Sequence, residues 1–222
     1  MAAVLVELVP LILGAMLAPV WVIIVLLLLA SPPGLPKAGA FVLGITLTRL
    51  AQGLIFSILF SAASDADDGK SPIVSILLLL VGILLLVTAV RKWRKEEDPD
   101  DPPPQWMSSI EQTSPLKALG LGALLIAIGP KMWVFTLSAL GIISASELGL
   151  AGGLAVYLAY VVLAQSLLLI AILIVALAPK ASTAILQRAL NWLKAYNRPI
   201  SITVALIFGV YFTWDGAMGL LS

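Results

Sequence analysis

Long apolar runs broken by short polar stretches dominate the chain. A helix that crosses about 30 Å of hydrocarbon needs about 20 apolar residues. Six runs reach that length, at about 4–30, 37–62, 71–90, 116–143, 148–178 and 200–221. The first ends in Ser31-Pro32-Pro33-Gly34-Leu35-Pro36 and the second at Asp65, Asp67 and Asp68. The longest polar stretch, 91–115, holds Arg91, Lys92, Arg94, Lys95, a run of acids from Glu96 to Asp101 and the triplet Pro102-Pro103-Pro104. Its charge and proline content cannot bury a core, which predicts a flexible linker. Residues 181–197 alternate apolar and basic positions at helical spacing and predict an interfacial amphipathic helix anchored by Trp192 and Tyr196. No basic segment precedes the first run, which is also too long for a signal-peptide core, so it is expected to be a span. The pattern predicts an all-α integral membrane protein of three parts: a three-helix unit at 1–90, a cytoplasmic linker at 91–115, and a second three-helix unit at 116–222.

The two units resemble each other. Leu13-Gly14-Ala15-Met16-Leu17 matches Leu121-Gly122-Ala123-Leu124-Leu125, Pro19-Val20-Trp21 matches Pro130-Lys131-Met132-Trp133, and Ala51-Gln52-Gly53-Leu54 matches Ala164-Gln165-Ser166-Leu167. The offsets rise from 108 through 111 and 112 to 113, as small insertions in a diverged duplication would produce. Because each unit has an odd number of spans, the second enters the membrane from the opposite side. That is the inverted-repeat layout of many secondary transporters.

Composition narrows the chemistry. Of 222 residues, 61% are hydrophobic and 11% charged, against about 25% charged in soluble domains. There is no histidine and no cysteine, which excludes histidine bases, thiol chemistry and the usual zinc and haem ligands. With no acid pair at membrane depth and no phosphate-binding loop, neither an enzyme nor a cofactor-dependent protein is expected, and no metal or nucleic acid is expected as a ligand. The net charge of +1 is less informative than its distribution. With both termini outside, the cytoplasmic segments hold Lys37, Arg91, Lys92, Arg94, Lys95, Lys117, Lys180, Arg188, Lys194 and Arg198, and the outer loops only Lys70. The expectation is a multi-pass protein of a bacterial inner membrane with both termini outside.

Two basic residues remain, and both lie at mid-depth: Arg49 in the second span and Lys131 in the fourth. Glu7 and Asp215, the acids within spans, fall near the outer ends, leaving the midplane cations without a counterion. Pro19 and Pro130 lie near the middles of the first and fourth spans, each removing a backbone donor, so both helices are expected to be broken there. Broken helices at corresponding places of two halves point to a transport site. The candidate substrate-binding residues are therefore Pro19, Trp21, Thr46, Arg49, Gln52, Pro130, Lys131, Trp133 and Gln165. An anion visiting Arg49 and Lys131 is one reading; Arg49 held by backbone carbonyls freed at the prolines is a structural one. The two tryptophans are equally compatible with packing.

At Ala18-Pro19-Val20-Trp21 and Gly129-Pro130-Lys131-Met132-Trp133 the chain resembles the lysine-exporter superfamily of six-span proteins and, within it, the glycolipid-addressing (Sap, sulfolipid-addressing) branch. The superfamily motif is Asn-Pro-Lys; Gly129 replaces the asparagine, so Pro130 and Lys131 alone carry over. The resemblance implies a small exporter and, in that branch, a part in moving cell-envelope glycolipids to the surface. The residues themselves leave two functions open. One is a transporter of an anionic or zwitterionic substrate, such as a lipid headgroup or a small molecule, working by alternating access. The other is an accessory scaffold for a larger lipid exporter, acting through the basic linker and helix 181–197. Membrane lipids are expected partners in either case, and the glycine-rich stretch 149–153 would allow a homo-oligomer.

Overall fold

The computed structural model describes residues 1–63, 72–94, 107, 109–110, 112–146 and 148–221. Among them are nine long helices: α1 Ala2–Met16, α2 Pro19–Ala30, α3 Gly34–Ala63, α4 Pro72–Arg94, α5 Pro115–Ile128, α6 Pro130–Ser144, α7 Gly149–Ala164, α8 Ser166–Leu177 and α9 Pro179–Leu221. Three helices are long and apolar enough to cross a membrane alone, and three bent pairs bring the number of candidate spans to six. The protein is a helical, multi-span membrane protein.

The two breaks expected from proline are present. Between α1 and α2 the axis turns by 57°, and between α5 and α6 by 70°. Each second segment begins with the proline itself, whose missing N–H would in any case be an orphan of the first turn. At the second break the N–H groups of Met132 and Trp133 both turn back to the Gly129 carbonyl, at 2.9 and 3.3 Å.

A third break, of 62°, separates α7 from α8 at Gln165, where there is no proline. The Gln165 N–H bonds Val162 at 3.2 Å instead of continuing the α-helical ladder. Its own side-chain amide then donates to the Val161 carbonyl at 3.0 Å, the acceptor its N–H would have used in an uninterrupted helix. Nearby, the Ser166 hydroxyl donates to the Met16 sulfur at 3.0 Å, which ties this break to the end of α1.

Residues 181–197, expected as an interfacial helix between the fifth and sixth spans, are helical and form the opening part of α9, which runs unbroken through Pro199. At 43 residues it is about 65 Å long, twice the hydrocarbon thickness, so one continuous helix supplies both the sixth span and a long extension. Arg198 fastens that extension to α4 by donating to the carbonyls of Lys92 (3.2 Å) and Trp93 (2.9 Å), at the helix end where orphan carbonyls attract cations. The close of the 91–115 stretch also packs against the bundle. Ile110 is buried, and the Ser114 hydroxyl caps α5 by accepting from the Lys117 N–H. The proline- and acid-rich part, 95–106, lies outside the described residues.

Packing follows a simple scheme. The most extensive pair is α4 with α9, followed by α3 with α5; α1 contacts α7, and α2 contacts α8. Exchanging each span for its counterpart in the other half maps these pairs onto themselves. The third span pairs with the sixth, and the second-with-fourth pair exchanges with the fifth-with-first. Glycines make the two largest contacts possible. A Cβ at Gly44 would fall on the Leu119 carbonyl and one at Gly122 on the Phe41 carbonyl, so α3 and α5 meet backbone to backbone. Along α4 and α9, Gly82 lies against Thr213 and Gly209, and Gly216 against Leu79 and Ser75. Glu7 and Asp215 are both exposed, and α1 contacts α9.

Candidate functional site

The candidate residues separate into two places. The first is a cavity of about 660 Å³ bounded by both proline breaks, within the range of about 300–1,000 Å³ usual for small-molecule sites. Leu17 to Trp21 form one wall and Ile128, Gly129 and Met132 another, with Leu121 and Leu125 beside them. Pro19 and Trp21 thus belong to it, with Trp21 resting against Phe41 at 6.3 Å between ring centroids. The polar lining residues are Thr88, Lys92, Ser109, Thr113 and Ser201. These lie in the last turns of α4, just before α5, and beside Arg198 on α9, all toward the linker end of the bundle. The cavity is therefore amphipathic: apolar at the helix breaks and polar where it approaches the linker.

Pro130 and Lys131 are placed in the first turn of α6, beside the cavity wall at Gly129, but their side chains lie outside the described residues. Trp133 has a structural task. Its indole N–H reaches back across the break to the Ala127 carbonyl at 2.6 Å, and its ring meets Phe56 edge-on at 5.5 Å. Trp133→Phe keeps the ring and removes the donor, leaving a carbonyl at the break unpaired. The bond is exposed, so the expected cost is about 0.5–1.5 kcal/mol, read as a lowered unfolding temperature in detergent; an unchanged temperature would show that the bond contributes nothing.

The second place is a polar cluster on α3. Thr46, Arg49 and Gln52 follow one another at three-residue intervals, which keeps them on adjoining parts of one helix surface. None of the three lines the cavity. Thr46 shares its hydroxyl proton between the Val42 carbonyl (2.8 Å) and the Gln165 side-chain oxygen (3.1 Å), so Gln165 stitches the α7–α8 break to α3. Arg49 is 3% exposed. Its guanidinium lies 6.0 Å from the Tyr160 ring centroid, and its backbone carbonyl accepts from the Tyr157 hydroxyl at 2.5 Å. Gly53 leaves room for the Tyr157 ring. The two tyrosines stack at 6.1 Å.

Two of the three guanidinium nitrogens of Arg49 lack hydrogen-bond partners. Its Nε and Nη1 are buried without hydrogen bonds, so the reading in which carbonyls freed at the prolines hold these atoms finds no support. Both side-chain amide atoms of Gln52 and the Tyr160 hydroxyl are likewise buried and unpaired. The sequence reading placed Arg49 beside the prolines because all share a depth, but α3 turns it toward α7 instead. Tyr157 and Tyr160 were missed there, although tyrosines three apart in an otherwise apolar run are a readable sign of a polar face.

No curated protein and no solved structure is significantly similar to the chain. A family model does match, over residues 8–218, and its description is Sap, sulfolipid-1-addressing protein. That span takes in all or most of each of the six candidate membrane crossings, both proline breaks, the cavity and the Arg49 cluster, and the chain therefore belongs to the sulfolipid-1-addressing protein family.

Proposed function

We propose that the protein moves an envelope glycolipid through the membrane by alternating access, with the amphipathic cavity between the two proline breaks as the substrate's place. The cavity carries this reading. Its apolar interior suits acyl chains, and its linker end gathers hydroxyls and Lys92, which suit a polar, anionic headgroup. Membership of a lipid-addressing family points the same way. The exchange-symmetric helix pairing supports two inverted repeats, 1–90 and 116–222, joined by the 91–115 linker, and the shared proline motifs support kinship with the lysine-exporter superfamily. The distribution of lysine and arginine supports a bacterial inner-membrane location with both termini outside and the linker in the cytoplasm.

Photo-cross-linking tests the reading directly. The full chain is reconstituted in vesicles with an anionic phospholipid bearing a photoreactive acyl chain, and adducts are mapped by mass spectrometry. Adducts are expected at Val20, Ile24, Leu121 and Leu125 on the cavity wall. Adducts confined to outward positions such as Leu43, Leu47 and Leu54 would overturn it, since annular lipid alone labels those.

A further inference from the structure

We infer that Arg49, Gln52 and Tyr160 form an anion-binding site separate from the lipid cavity, enclosed between α3 and α7. The observations are independent of the cavity, with which these residues share no wall. Arg49 is 3% exposed, Gln52 4% and Tyr160 0%. The helices around them, α3, α6 and α7, contain no aspartate or glutamate, so the guanidinium has no acid of its own. Four kinds of donor capacity are left over in one place: Arg49 Nε–H, Arg49 Nη1–H, the Gln52 amide N–H and the Tyr160 hydroxyl, which sits beside Thr136 without a hydrogen bond of good geometry. Every surplus group except the Gln52 carbonyl oxygen can donate, and surplus donors on residues neighbouring a buried cation are complementary to an anion. A permanently charged arginine with two buried nitrogens lacking acceptors is costly inside a membrane protein, and a bound anion reduces that cost by supplying both charge and acceptors.

The comparison with Gln165 strengthens the point. Gln52 and Gln165 correspond in the two halves, yet Gln165 spends its amide on Val161 and Thr46 within the fold, whereas Gln52 spends its amide on nothing. One member of the pair is structural, and the other is left available one turn from the only arginine in α3. The ligand chemistry is a compact anion, whether a free halide or oxyanion or the sulfate- or phosphate-like end of a lipid.

The test uses the full chain in an uncharged detergent and follows thermal unfolding at constant ionic strength. Sodium chloride, sulfate or phosphate is compared with sodium gluconate, and phosphatidylglycerol-doped micelles with undoped ones. A saturable rise in unfolding temperature with one of the inorganic anions identifies a free anion as the source; a rise with phosphatidylglycerol supports the site, with a headgroup as the source, only where Arg49→Met reduces it, and a phosphatidylglycerol rise that Arg49→Met leaves unchanged belongs to the cavity and, with no inorganic-anion response, overturns the site. Arg49→Met should abolish the response and, by removing an unpaired charge, should unfold no lower than wild type in gluconate. Gln52→Leu should weaken the apparent affinity at least tenfold. Tyr160→Phe, which deletes one unpaired hydroxyl and keeps the ring, should shift it in the same direction and provides a folded variant if Arg49→Met does not express. Wild type indifferent to every anion, an Arg49→Met response equal to wild type, or an Arg49→Met protein that unfolds well below wild type in gluconate would each overturn the inference. Cross-links missing from the cavity would leave this result untouched, so the two readings fail separately.

Discussion

Gly122→Ala is expected to destabilise the bundle markedly, while Gly120→Ala, two residues earlier on the same helix, is expected to leave it intact or slightly stabler. The new methyl group at Gly122 would land on the Phe41 carbonyl, a backbone atom that cannot move aside, whereas a methyl at Gly120 meets nothing within 4 Å. The same contrast holds on the opposing helix, where Gly44→Ala would strike the Leu119 carbonyl and Gly39→Ala would meet open space. Forcing α3 and α5 apart costs about 1–3 kcal/mol or more through lost contact along the whole seam. Alanine at the two open positions gains up to about 1 kcal/mol from its higher helix propensity. Unfolding temperature and monodispersity in detergent distinguish the pairs. Equal behaviour of Gly120→Ala and Gly122→Ala would mean that the close α3–α5 crossing does not exist in the membrane.

The second large effect concerns function. Val20→Trp combined with Leu125→Trp places two indoles in the cavity from opposite walls. Each adds roughly the bulk of several methylene groups, and together they fill space that an acyl chain would need. Lipid movement in reconstituted vesicles, followed with a fluorescent anionic glycolipid, is expected to fall more than tenfold. The unfolding temperature should stay close to wild type, because Val20 is 41% exposed and Leu125 is only partly buried. Leu150→Trp, at a residue 91% exposed and away from the cavity, is the control. Undiminished movement in the double variant would remove the cavity from the transport path.

How much of this was readable from the chain depends on what each residue does to the backbone. Pro19 and Pro130 announced their breaks because a missing N–H acts locally, whatever surrounds it. The break at Gln165 gave no such notice: it exists because a side-chain amide takes over a main-chain acceptor, a competition that the order of residues does not display. Pro199 shows the converse, a proline that leaves α9 continuous between the 181–197 and 200–221 segments. The candidate site was half readable for a similar reason. Position along each span could be counted from the sequence, which put Arg49 and Gln52 on one helix and Pro19 at a break. The direction in which each faces depends on how α3 is rotated by its glycine contacts with α5, and that is a property of the packed pair.

The glycine seam between α4 and α9 has a mechanical meaning. Where backbones touch directly there are no long side chains to flex or change rotamer, so a tilt of one helix passes to the other with little slack. The third and sixth spans, one from each half, then behave as a single strut through the molecule, clamped at one end by Arg198 on the last carbonyls of α4. Compliance is left to the three bent spans, where the hydrogen-bond ladder is already interrupted, and two of those three interruptions open onto the cavity.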